Sequence, residues 1–307
     1  MPNLYASKRP HDLHRCTSAN DFRRNFEARL GMSITDFVDG VVPAKRCAIL
    51  LTGSISDGIG NAVSDVDLMV VADVDGPTKL AASGFGGAPA SIKVARPGAL
   101  ELAVVDGVVA GVETDIALIS GPRLGLLSAG LERGGVSLQE DEIRTLGRIK
   151  RGCVLADESD YLAEFPGLLG GQTLEIYCST TYYSLALKRL EDAFAALRSD
   201  ADLALHLGRL GVETALHACL AATGYCYPSA KWPLFLKRHH SEPILDWGIA
   251  LLFPPRAGTE ADLRRYLIDA QAFVADIRRL IERDRTLRIA FDYCPQIYWP
   301  DFALAAS

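Results

Sequence analysis

Two stretches decide how this chain is read: Leu50-Leu51-Thr52-Gly53-Ser54, and Ser64-Asp65-Val66-Asp67-Leu68-Met69-Val70-Val71 ten residues later. The apolar run Ile49 to Thr52 stops at Gly-Ser, the pattern of a buried strand opening into a turn. Asp65 to Val71 begins acidic and turns apolar, so it reads as a second buried strand with two carboxylates at its start. Residues two apart on a strand point to one face with Cα atoms roughly 6.5 Å apart, which puts Asp65 and Asp67 on the same side. Carboxylates held that way repel each other. A hard divalent cation such as Mg²⁺, which prefers oxygen ligands, relieves the repulsion.

A third acid is expected on a neighbouring strand. Leu100 to Val105, Asp106-Gly107 and Val108 to Ile119 read as a hairpin with its tight turn at Asp-Gly. In the second arm Val112, Thr114, Ile116 and Leu118 alternate with Glu113, Asp115, Ala117 and Ile119. Glu113 and Asp115 therefore share a face, and periodicity does not choose between them. Asp115 is followed by Ile-Ala-Leu-Ile, which repeats the acid-then-apolar pattern after Asp67. Asp115 is preferred on that ground and Glu113 is held in reserve.

Taken together, strand, Gly-Ser, a loop with Gly58 and Gly60, Ser-Asp-x-Asp and a second strand resemble the nucleotidyltransferase superfamily. That superfamily includes DNA polymerase beta, the antibiotic nucleotidyltransferases and the small minimal nucleotidyltransferases. The resemblance covers residues 46–119, and the rest only in outline. It implies an α/β (α+β) catalytic domain with a mixed sheet over residues 1–150, followed by a C-terminal α-helical bundle domain over residues 151–307. It also implies transfer of a nucleoside monophosphate from an NTP to an acceptor hydroxyl, phosphate or amine, with pyrophosphate leaving. In that family Gly-Ser opens a helix whose amides and hydroxyl hold the phosphates, which assigns Gly53, Ser54 and Ser64 to the nucleotide. Asp65 and Asp67 would ligate Mg²⁺ on the triphosphate, and with Asp115 they would hold a second ion.

Beyond residue 150 the pattern becomes helical. Leu174 to Leu197, Ala201 to Ala222 and Thr259 to Arg285 are three long helices. The last carries an apolar stripe of Leu263, Tyr266, Leu267, Ala270, Phe273, Val274, Ile277 and Ile281. Between the second and third lies Thr223 to Pro233, which resembles a segment in the helical domains of some bacterial nucleotidyltransferases. That resemblance implies Tyr227 and Lys231 as nucleotide contacts. Glu213 is a helical-domain acid considered as a general base, against its simpler reading as an acid beside Arg209. Nearer the N-terminus, Ser18 caps a helix that Gly31 ends. Ser137 to Arg148 reads as a helix whose early acids and late bases suit the helix dipole, so its basic cluster is given no functional role. Ala81 to Pro89 reads as a loop, and Phe291 to Phe302 as an irregular arm.

Composition narrows the function classes. The chain has 307 residues, 49% of them hydrophobic, enough for two domains with separate cores. A net charge of −6 is an unfavourable background for a nucleic-acid surface, so the expected partners are an NTP and a small-molecule acceptor. The 7 Cys show no Cys-x-x-Cys pair, which argues for free thiols in a reducing compartment. The N-terminus lacks the apolar core of a signal peptide and no window spans a bilayer, so a cytoplasmic location is expected. Gly-x-Ser-x-Gly, His-Glu-x-x-His, a P-loop and a full dinucleotide fingerprint are absent from the sequence, and its six histidines do not fall with the carboxylates. Two alternatives remain: a non-catalytic nucleotide-binding sensor or scaffold of the same fold, and a nucleotidyltransferase that modifies a protein or RNA partner.

Overall fold

The computed structural model describes residues 11–39, 46–58, 60–74, 100, 102–109, 111–133, 137–226, 243–254, 259–284 and 286. Lys231, Tyr227, the Ala81–Pro89 loop and the Phe291–Phe302 arm lie outside them. The chain divides into two units, Met1–Gly171 and Gln172–Ser307.

The first unit is built on a mixed five-stranded sheet of order β3-β4-β2-β1-β5. Its strands are β1 (Cys47–Thr52), β2 (Val66–Ala72), β3 (Leu102–Val109), β4 (Val112–Ser120) and β5 (Cys153–Asp157). All six residues of β1 are buried, as expected of a strand covered on both faces. β2 runs antiparallel to β1 and parallel to β4, while β3 and β5 close the edges as antiparallel partners of β4 and β1. Because β5 pairs with β1, the sheet takes in residues past 150 and the first unit runs on to Gly171.

Helix α1 (Ala19–Leu30) starts and stops where the sequence signals it. The Ser18 hydroxyl accepts the Asp21 N–H at 3.1 Å, and Gly31 ends the helix at φ +72°. Phe22 and Phe26 stack at 5.5 Å between ring centroids and join Ile34 and Val38 of α2 (Ile34–Asp39) on the core with Ile49, Leu51, Leu68 and Val70. The β3–β4 hairpin corrects the sequence reading. Asp106 and Gly107 lie inside β3, and the chain reverses between Val109 and Val112, where Gly111 has φ +79°. Two turn-competent glycine dipeptides compete here. The later one wins because it keeps Val105 and Val109 buried on the face that meets the core.

Among the described residues the unit also carries the α-helices α3 (Gly53–Ser56), α4 (Gly121–Glu132) and α5 (Glu140–Arg151), with a short turn α6 (Pro166–Leu169) near its end. The second unit is helical. It comprises α7 (Thr173–Ala196), α8 (Ala201–Ala222), α9 (Pro243–Leu252) and α10 (Glu260–Ile281) among the described residues. Asp200 caps α8 by accepting the Leu203 N–H at 2.9 Å, and a reciprocal Thr259–Asp262 box caps α10. All eight residues of the expected α10 stripe are buried. Gly208 and Gly211 let α8 close on its neighbours, since a β-carbon at either would stand 2.7–2.9 Å from Leu267 or Leu190. No helix among the described residues is long and apolar enough to cross a membrane.

Candidate active site

The carboxylates are gathered by strand register. Asp67 is the second residue of β2 and stands directly opposite Asp115 in the parallel β2–β4 ladder. Neighbouring strands lie about 4.8 Å apart and paired residues face the same side, so the two carboxylates are lateral neighbours. On the other flank of Asp67 the same row continues to Thr52, whose hydroxyl donates to the Asp67 carbonyl at 3.4 Å. On the other flank of Asp115 it continues to Asp106 of β3. Glu113 pairs with Val108, two positions earlier on β4 and away from that row.

Asp67 is seated by Gly53. That glycine has φ +72°, and a β-carbon on it would lie 2.0 Å from Asp67 Oδ2 and 2.7 Å from Cγ. The Gly-Ser turn is therefore glycine for two reasons: a left-handed backbone, and no room beside the carboxylate. Gly60 packs onto the same turn, where its β-carbon would stand 2.9 Å from Ile55 Cγ1. Ser54 is half-buried in the first turn of α3. Ser64 fixes the loop that enters β2. Its hydroxyl accepts the Asn61 N–H at 2.9 Å, and its carbonyl lies 2.7 Å from His11 Nε2. Asp65 is half-buried one residue before β2 begins.

Asp67 and Asp115 line a cavity of about 330 Å³ together with Thr52, Leu68, Met69, Leu102, Val104 and Ala117. Asp65, Glu113 and Asp106 are not among its lining residues. Its remaining wall is one face of α5: Asp141, Arg144, Thr145 and Arg148, spaced i, i+3, i+4, i+7. Arg148 Nη1 stands 3.8 Å from Asp67 Oδ1, and Arg144 Nη2 stands 3.7 Å from Glu140 Oε1. The basic residues of α5 do more than match the helix dipole; two of them face the carboxylate pair. The sequence reading missed them, although the periodicity that carries the signal is present in residues 141–148.

Helix α5 is held firmly. Buried Glu142 accepts the Gln139 N–H at 2.7 Å and the Leu100 N–H at 3.4 Å. Arg151 donates to the Asp57 carboxylate at 3.3 Å, where the Asp57 side chain is only 3% exposed. Gly152 lets the end of the helix approach Leu50 of β1, because a β-carbon there would stand 3.0 Å from the leucine side chain.

The donors fit a hard cation. Asp67 and Asp115 present carboxylate oxygens from adjacent backbones, and oxygen-only ligation suits Mg²⁺. A separate group, Asp39, Cys47 and Glu158, brings three ligand atoms within 4.8 Å of one another at the far end of β1. Burial, then the nearby Glu158 charge, pushes the Cys47 thiol up to about 11, so it is protonated at neutral pH.

No protein-family model matches the chain, and no curated protein matches it. Among solved structures, a nucleotidyltransferase-like protein from Exiguobacterium sibiricum 255-15 is similar at 12% identity and a TM-score of 0.44, over 89% of this chain and 78% of that one. At that distance no chemistry transfers from that protein to this one.

Proposed function

We propose that this protein is a nucleotidyltransferase that moves a nucleoside monophosphate from an NTP to a small-molecule acceptor and releases pyrophosphate. The observation that carries the reading is the Asp67–Asp115 pair, set side by side on parallel strands in a cavity, with Asp67 seated on the glycine that follows β1. Asp65, Asp67 and Asp115 would hold Mg²⁺, two ions when nucleotide is present. Bound there, Mg²⁺ offsets phosphate charge and lowers the pKa of an acceptor hydroxyl.

The chain's own residues do the rest. Asp67 and Asp115 hold their carboxylates in one row across β2 and β4, so the reacting phosphate is confined to the cavity beside that row. Gly53 and Ser54 offer amides and a hydroxyl toward the phosphates, and Ser64 shapes the loop beside them. Tyr227 and Lys231 are proposed as nucleotide contacts on the resemblance of their segment alone. Leu102, Val104 and Ala117 make the cavity floor apolar, which strengthens each charge interaction above it. The test follows pyrophosphate release with each of the four NTPs over a panel of hydroxylated small molecules. Release that depends on both acceptor and Mg²⁺, and is lost in Asp67→Asn, supports the reading; no release with any pair overturns it.

A further inference from the structure

The cationic wall of the cavity has no task in the reaction as described so far. We propose that Arg144 and Arg148 form the cationic side of this protein's polyphosphate-binding site, gripping the phosphate chain of the nucleotide from within the first unit. The inference rests on the nucleotidyltransferase reading and adds the residues that neutralise its polyanionic substrate.

Residues four apart on a helix lie one above the other, about 5–6 Å apart at their β-carbons. Two guanidiniums placed so run along the cavity wall and meet an extended polyphosphate at two points. Guanidinium is also the group best shaped for such an anion, since its planar fork gives two parallel N–H···O bonds to one phosphate. Each side chain is already oriented. The Arg148 contact to Asp67 at 3.8 Å and the Arg144 contact to Glu140 at 3.7 Å are electrostatic and longer than hydrogen bonds. Arg151, one turn on, differs: its donors are committed to buried Asp57.

The two side chains are 47% and 34% exposed, so an incoming anion can reach them without opening the core. Their helix is tied at both ends, by Glu142 to the Leu100 N–H and by Arg151 to Asp57, and Gly152 closes its end on Leu50 of β1. Binding then costs little reorganisation. Charge balance points the same way. The cavity presents the carboxylates of Asp67, Asp115 and Asp141 against these two guanidiniums. Without the arginines its wall would repel a triphosphate even with a cation bound.

The test uses inorganic tripolyphosphate with Mg²⁺, which removes any dependence on the base, and titrates the full chain by calorimetry. Wild type should bind. Arg144→Gln and Arg148→Gln should each weaken binding by about tenfold to a hundredfold, the range for charged hydrogen bonds. Arg144→Lys and Arg148→Lys should fall between, with melting temperatures unchanged in all four. If a glutamine variant fails to fold, its lysine counterpart decides: wild-type affinity there counts against the site. Unchanged affinity in both glutamine variants, with loss in Asp67→Asn and Asp115→Asn, overturns the arginine site and leaves the nucleotidyltransferase reading standing. Loss in the arginine variants while Asp67→Asn and Asp115→Asn keep full Mg²⁺-dependent binding does the reverse. A wild type that ignores tripolyphosphate overturns the site outright.

Discussion

A β-carbon on Gly53 would lie 2.0 Å from Asp67 Oδ2, so the glycine that follows β1 and the carboxylate at the second position of β2 share one small space. Gly53→Ala meets two costs, a left-handed backbone at φ +72° and a clash with the carboxylate. We expect it to destabilise the protein by about 1–3 kcal/mol, the range for strained backbone, and to displace Asp67. Urea unfolding reads the first effect and Mn²⁺ binding in the presence of NTP reads the second. Wild-type stability together with wild-type Mn²⁺ binding would show that the turn relaxes freely.

Register separates the two acids of β4. Asp115 sits opposite Asp67, and Glu113 sits opposite Val108 outside the cavity lining. Asp115→Asn should cut kcat far more than it weakens NTP binding, because charge on the reacting phosphate grows in the transition state. Glu113→Gln should be mild. A reversed ranking in steady-state kinetics would move the third carboxylate to Glu113.

Arg148 stands 3.8 Å from Asp67, so it would compete with a cation that the proposed site binds there. Arg148→Gln should therefore tighten Mn²⁺ binding in the absence of nucleotide, by a few-fold at most because both side chains are partly exposed to water. Paramagnetic resonance of free Mn²⁺ measures it. Weaker Mn²⁺ binding in the variant would contradict the competition.

Much of this site is legible in the sequence, for identifiable reasons. Strand β2 announces itself because an acid-to-apolar switch has few other meanings, and the α10 stripe because all eight of its apolar positions recur on one face. Asp115 could be preferred over Glu113 only by analogy with Asp67, since both lie on one face of β4. It is the parallel β2–β4 register, a long-range pairing, that sets Asp115 beside Asp67. The hairpin turn was misplaced because Asp106-Gly107 is the stronger local turn signal, yet burial of Val105 and Val109 decides the register. Asp106 was thereby read as a turn residue, although it stands in the carboxylate row. The helix dipole alone accounts for the sign of the α5 arginines, and that local argument carries no information on which way they face. Local chemistry explains why a charge is tolerated; only the packing of α5 on the sheet shows what it faces.

Cys47 gives the fold a measurable alkaline limit. Its thiol is pushed from 9.0 to about 11, chiefly by burial and then by the Glu158 charge. A thiol whose pKa is raised by folding stabilises the native state below the unfolded value and loses that contribution as pH climbs toward the folded one. Between pH 9 and 11 the unfolded chain has released this proton while the folded chain retains it, so stability falls. Tyr161, pushed by burial from 10.0 to about 12, adds its own loss mainly above pH 10. Urea unfolding between pH 9 and 10 therefore reads the thiol ahead of the phenol. Cys47→Ala should be less stable than wild type at pH 8, from the packing it loses, but should show a shallower decline from pH 9 to 10. Cys16 and Cys153, whose thiols are also raised by burial, titrate alike in both proteins and cancel in the comparison. Parallel declines would place the Cys47 thiol in contact with water. A steeper decline in the variant would mean that the ionised thiol is stabilised in the fold, as a cation held by Asp39, Cys47 and Glu158 would require.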